Sequence, residues 1–366
     1  MRTALIAVGI VVLIVFLVGG VFVFHFVKTA LDVGNDVPKM PAELTTARVV
    51  SGEGIFAKAV YYTDPGLGVV TDIELMQTGE PLIVGHAGAA FLSPSGSASK
   101  KIQFDRCDHD VTFSELAGGT FLCRGTWDTG ASLITLDGKT LWSYSHFPGI
   151  DDAAAGVIGT GGVRGVAVGF PGETGVRLIS PEGKELWTQR DGNVWHIEIA
   201  PSGNPSGNVI VHSNAAGQIT LRDANGTVLA RSQPEIYFSH FSVTAWKGNP
   251  LRNKLIAAIK GSFYVLSLDG KTLARLTAPE SMTDTDEANG ISVHFSRKAP
   301  YFAALVRNTL WNRSVLYIYD QQDQPVYSEI FDQNCAALST LGDPKGNQDL
   351  LLGCDGVVWK YSPTKR

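Results

Sequence analysis

A short segment recurs along this chain at a nearly constant interval, and that interval limits the available folds more than any other feature. Residues 132–145 read SLITLDGKTLWSYS: an alternating run, the pair Asp137-Gly138, and a second alternating run through Trp142. The pattern returns as RLISPEGKELWTQ at 177–189, as TLRDANGTVLA around Gly226 and as VLSLDGKTLARL around Gly270. Weaker copies are FLSPSGSASKKI around Gly96 and YIYDQQDQPVYSEI around Gln322. The turn glycines 96, 138, 183, 226 and 270 lie 42 to 45 residues apart.

Strand side chains alternate between two faces, so apolar alternation on both sides of a glycine marks a pair of half-buried strands. Asp-Gly predicts a tight two-residue turn that fixes their register. In 193–232 the runs NVWHIEIA, NVIVHS, QITLRD and TVLARS follow one another, and 237–277 repeats the layout. Four strands in about 43 residues are the signature of a β-propeller blade. Units begin near 71, 109, 152, 195, 239, 292 and 335, which predicts an all-β propeller of seven blades rather than eight. The last unit stops three strands in, at VVWKYS, while IFAKAVYY at 55–62 precedes the first unit as a lone strand. That strand is expected to complete the last blade and close the ring, which removes exposed edges.

The turn wording, an alternating strand followed by D-G-K-x-L-W, resembles the repeat of pyrroloquinoline-quinone-type propellers. Trp142 and Trp187 carry it; Val228, Leu273 and Val326 stand at the matching positions elsewhere. The resemblance implies a fold more than an activity, because such repeats occur in many non-enzymes. Quinone-dependent dehydrogenases of that kind resemble eight-bladed rings with adjacent disulfide-forming cysteines and a calcium site. This chain has no adjacent cysteines, and no cofactor is expected.

Ahead of the repeats, residues 1–3 form a short tail, and Ala4 to Val27 form an apolar run without Asp, Glu, Lys or Arg. At about 1.5 Å per residue, a helix of this length crosses a hydrocarbon core of about 30 Å. A cleaved signal peptide is the rival, but its apolar core is usually about 7–15 residues. The expectation is an uncleaved single-pass anchor, a tether over 28–53, a propeller over 54–362 and a C-terminal tail over 363–366. Gly9, Gly19 and Gly20 would permit close packing of the anchor against another helix.

The flanking charges leave topology open: Arg2 precedes the run, and Lys28 and Lys39 follow it. The cysteines decide the expectation. Cys107 and Cys123 fall at the start of one inner strand and the end of its hairpin partner, and Cys335 and Cys354 repeat that placement. Opposed positions on antiparallel neighbours lie within disulfide reach. Two such pairs point to an oxidising compartment outside the cytoplasm; the alternative is four buried thiols. A net charge of −5 gives no basic field and argues against nucleic-acid binding. Asn225 and Asn312 are glycan acceptors only in a host that glycosylates secreted proteins.

No nucleophile elbow, zinc helix, phosphate loop or dinucleotide fingerprint occurs. What stands out is the placement of histidines. Asp72, Asp110, His196, His240 and His294 align near inner-strand starts; His86, Arg124, His212, Lys260, Arg307 and Asp355 align at second-strand ends. Those positions share one face of a propeller, so they are expected to ring the mouth of the central channel. One reading is a polar funnel for a ligand, metal or partner loop. The other is structural, each histidine bonding within its own blade. Trp142 and Trp187 are expected to pack between blades. The acidic insert 278–290, with Glu280, Asp284, Asp286 and Glu287, reads as a solvated loop, the alternative being a calcium-binding or docking loop.

These readings together predict a membrane-anchored propeller outside the cytoplasm that serves as an interaction scaffold or accessory subunit of a membrane complex. The alternative is a hydrolase or lyase working through His196, His240 and Asp110, or a metal- or quinone-binding protein using the funnel.

Overall fold

The repeats become seven antiparallel sheets in a computed structural model that describes residues 39–125, 130–145, 149–203, 207–238, 240–247, 251–259, 261–278, 287–296 and 300–364. The expected anchor, Ala4 to Val27, lies outside them, as do Lys260 and most of the acidic insert. Among the described residues no helix is long and apolar enough to cross a membrane. The ring belongs to the unit Glu43–Arg366. Blades 1 to 6 occupy 70–103, 111–144, 152–189, 194–232, 242–277 and 287–331, and blade 7 is built from 337–363 together with Phe56–Thr63.

The ring closes as the sequence suggests. Phe56–Thr63 pairs with Val357–Pro363 as the outer strand of blade 7. Lys58 on this strand reaches Glu329 of blade 6 at 2.6 Å, and its ammonium lies 4.2 Å from the Trp359 ring centroid and 4.6 Å from that of Phe331. Glu329 is buried and also accepts from the hydroxyls of Tyr327 and Tyr361, both at 2.7 Å. One further strand, Arg48–Ser51, was not anticipated within the tether: it pairs with Pro325–Phe331 and gives blade 6 a fifth strand.

The hairpin turns differ from the expected two-residue form. Thr135 donates its N–H to Lys139 O at 2.9 Å and accepts from Gly138 N–H at 3.0 Å, so the loop holds three residues. Only Gly138 has positive φ (+82°), and the pairing slips between Thr140 and Trp142. This is a type I turn followed by a glycine bulge. A side-chain oxygen at the first position clamps it: Thr135, Ser93, Ser180, Asp223, Ser267 and Asp320 each accept from the N–H four residues on. In blade 6 Asp323 takes the glycine's place, with φ +63°.

Each turn also serves the preceding blade. Trp142 Nε1 donates to Pro181 O, and Trp187 Nε1 to Ala224 O, both at 2.9 Å. Both tryptophans therefore lie between blades, as expected. Apolar residues of neighbouring sheets interdigitate below them; Leu122, Leu133, Val166, Val168 and Phe170 form one such layer between blades 2 and 3. Each side chain of this kind contributes roughly 1.5–3 kcal/mol relative to exposure.

Inner strands begin within three residues of the expected starts except in blade 6, where the strand is Glu287–Val293 rather than one starting near 292. The end of the acidic insert is therefore sheet. Its small, polar wording, EANGISV, hides the strand because the site tolerates little bulk: a Cβ on Gly290 would lie 2.5 Å from Phe302 Cζ.

Candidate functional site

Inner strands of adjacent blades belong to separate sheets, so their facing backbone groups need other partners. Side chains of the neighbouring blade supply them. Asp72 accepts Phe113 N–H at 2.8 Å, Asp152 accepts Ile197 N–H at 2.9 Å, Thr244 donates to Gly290 O and Asn289 to Ala336 O, both at 2.7 Å. This requirement alone places polar side chains along the axis.

Alternation then turns one side of each inner strand to the axis. On Val70–Leu75, Asp72 and Glu74 line the axial cavity while Ile73 is buried in the blade; on Val194–Pro201, His196 and Glu198 line it while Ile197 is buried. The cavity encloses about 560 Å³ and is bordered by inner strands of all seven blades.

At one end a charged network spans the axis. Arg307 of blade 6 donates both guanidinium nitrogens to Asp110 of blade 2, at 3.2 and 3.0 Å, and also pairs with Glu287. Arg124 joins Asp110, at 3.2 Å, to Asp152 of blade 3, at 2.9 Å. Asp152 holds His196 Nδ1 at 2.6 Å. Burial opposes the charge on Asp110, but Arg307, His86 and Arg124 outweigh it and hold the carboxyl well below the usual range. Burial likewise opposes the charge on Asp152, and His196 with Arg124 brings its pKa down. Burial works against the His196 imidazolium, and Asp152 nevertheless raises its pKa.

Deeper in the cavity the balance reverses. Burial, with repulsion from Glu74, pushes Asp72 up to about 7. Burial also raises Glu74, against Arg252, and Glu198, against His196. Arg252 Nη1 stands 3.8 Å from Glu74 Oε1, beyond hydrogen-bond range. His240 lines the same cavity and is pushed down by burial and by His196, with ring centroids 5.9 Å apart.

The structure thus brings Asp72, Asp110, Arg124, His196 and His240 to the cavity, with Arg307 and His86 reaching Asp110 from their second-strand ends. It separates three of the expected ring. His212 is buried between blades 3 and 4 beside Asp191, at 3.3 Å, and Arg222. His294 follows the end of its inner strand and exchanges backbone bonds with Gln348, because the blade 6 strand starts five residues earlier than expected. Asp355 accepts Asn334 N–H at 3.2 Å on the exposed turn of blade 7. The set His196, His240 and Asp110 is not assembled as one catalytic group: Asp110 is held by two arginines and His196 by Asp152. Glu74, Asp152, Glu198, Arg252 and Glu287 were missed. The acidic members sit at i and i+2 on inner strands or at a strand start, a pattern visible in TDIEL and HIE once the inner strands are identified.

Both expected disulfides are formed, Cys107–Cys123 in blade 2 and Cys335–Cys354 in blade 7. Among the described residues no group of three or more His, Cys, Asp or Glu side chains is placed to hold a metal ion.

No family model matches the chain. No curated protein matches it either. Solved structures do. A streptogramin B lyase superposes with TM-score 0.59 at 10% identity, over 85% of this chain and 100% of that one. BBS1N in complex with ARL6DN gives 0.56 at 12% identity, over 85% and 98%. The Neurospora crassa Pan2 WD40 domain gives 0.52 at 10% identity, over 86% and 97%. At such identity the likeness shows the fold alone, and the fold it shows, in agreement with the seven sheets, is an all-β seven-bladed propeller.

Proposed function

We propose that this protein is a binding platform for a protein partner, held to a membrane by residues 4–27 with its propeller outside the cytoplasm, as an accessory subunit of a membrane complex. The observation that carries this reading is the Arg307–Asp110 pair and the network around it. Four of the groups expected at the funnel mouth, Asp110, Arg124, His196 and Arg307, are bonded into one network across the axis, which favours the blade faces and rim as the working surface. A ring closed by Phe56–Thr63 is a rigid support for such a surface. The disulfides support the compartment, since such bonds persist in oxidising surroundings. Similarity to BBS1N, a propeller solved in complex with ARL6DN, supports the class of role. The quinone-type wording of the turns is read as scaffold, its tryptophans being engaged between blades.

Extraction of native membranes in a mild detergent, followed by sizing and mass spectrometry, tests this. A partner in fixed stoichiometry is the expected result. A protein that is released without detergent, or that runs alone from every membrane preparation, would overturn it.

A further inference from the structure

We propose that the axial cavity binds an organic cation, a guanidinium or primary ammonium group, between Asp72, Glu74 and Glu198. The site goes beyond the platform role and stands whether or not a partner covers the blade faces.

The geometry has three parts. First, these three carboxyl groups line one cavity of about 560 Å³, and among the described residues none of the three is hydrogen-bonded to a cationic side chain. Among the described residues Asp72 accepts only from backbone N–H groups, those of Phe113 and Ile73, and Glu74 meets Arg252 at 3.8 Å, too far for a hydrogen bond. Arg252 stands at the rim and donates instead to Val243 O at 3.1 Å. Second, His196 is 9% exposed, its Nδ1 is held by Asp152, and its Nε2 is buried without a hydrogen-bond partner, 3.8 Å from Glu198 Oε1. A buried polar nitrogen left unpaired is costly, and a ligand N–H placed between Nε2 and Glu198 would satisfy both. Third, the carboxyls are spread along two strands and form no metal cluster among the described residues, so the cavity fits an extended organic cation better than a metal ion.

Binding is then linked to protons. Asp72 is faced by Glu74 and Arg252, Glu74 also by Glu115, and Glu198 by His196, Arg124, Asp152 and Arg252. Burial pushes all three carboxyls up, Asp72 to about 7; an arriving cation favours their charged forms and releases protons. Asp152 favours the imidazolium of His196, but a cation placed beside Nε2 favours the neutral form, whose lone pair then accepts a ligand N–H.

The test is calorimetric titration of the full chain in detergent with agmatine, with its uncharged ureido analogue in which both cationic ends are replaced by ureas, and with a flexible peptide bearing one arginine. Agmatine or the peptide is expected to bind at about pH 8, at least about tenfold more weakly at about pH 5.5, and with protons released at about pH 6–7. Glu74→Gln and Glu198→Gln are expected to weaken binding by about tenfold or more without lowering Tm, since each removes a half-buried acid that has no hydrogen-bonded cation among the described residues. Glu182→Gln, on an exposed turn, leaves binding unchanged. Tighter binding of agmatine than of the peptide identifies a free amine as the ligand, and the reverse identifies a partner's basic side chain; both support a cation site. The proposal fails if the ureido analogue binds as well as agmatine, if the two Gln variants bind like the parent, or if no probe binds.

Discussion

Arg307 and Asp110 stand 197 positions apart in the chain and on opposite sides of the ring, yet they form a two-pronged ion pair across its axis, with N–O separations of 3.2 and 3.0 Å. The contact ties blade 6 to blade 2 without passing through the blades between them. Both side chains are shielded from water, so loss of one leaves the other's charge uncompensated.

Arg307→Met is therefore expected to destabilise the protein by about 3 kcal/mol, because Asp110 and Glu287 both lose their guanidinium. Lys139→Met, which removes an exposed pair with Asp137, is expected to cost under about 1 kcal/mol. Urea unfolding of the two variants checks the contrast; equal losses would show that the axial pair carries no special weight.

The Asp72 carboxyl is pushed up to about 7 when folded, against about 3.9 unfolded. A raised carboxyl binds more protons in the folded state, so its contribution to stability is full below about pH 4 and is lost as pH rises towards 7. Asp110 and Asp152 act in the opposite sense: their depressed values give stability above about pH 4 that disappears on acidification. Asp72→Asn is expected to gain Tm relative to the parent as pH rises from about 5 to 8, the difference between the two cancelling the other titrating groups. An unchanged difference across that range would contradict the account.

Cys107–Cys123 and Cys335–Cys354 close loops with sequence separations of 16 and 19 residues. Each is expected to contribute about 3 kcal/mol, chiefly by restricting the unfolded chain. Thiol titration of the denatured, unreduced protein should find no free cysteine, and reduction should lower Tm. Four reactive thiols before reduction would also remove the support for an oxidising compartment.

Asp323 holds a backbone conformation that its five counterpart turns give to glycine. Asp323→Gly is expected to relieve a left-handed aspartate, a gain of up to about 1 kcal/mol, less the exposed contact from Lys247 at 3.2 Å. Thermal denaturation reads the sign. A loss larger than an exposed ion pair explains would mean that the Lys247 contact dominates at this turn.

Repeat spacing, strand alternation and cysteine placement determined much of this protein from sequence alone: seven blades, closure by 55–62, both disulfides and the two inter-blade tryptophans. These features are legible because they are local or periodic. A strand declares its alternation within a few residues, and a repeat declares its neighbour about 43 residues on. The turn glycines were visible too, but not the type of turn, because an Asp-Gly pair serves both a two-residue loop and a three-residue loop with a bulge, and the hydrogen bonds of Thr135 with Gly138 and Lys139 decide between them. Only the tertiary structure decided the site. His294 looked equivalent to His196 until Gly290 packed against Phe302 and placed the blade 6 strand five residues earlier, bringing Glu287 to Arg307. Whether a charged residue near the axis meets its opposite or stands alone depends on which blades face each other across the channel. Asp110 meets Arg307, while Asp72, Glu74 and Glu198 share a cavity without a hydrogen-bonded cation among the described residues, and that difference is set by the closed ring rather than by any single repeat.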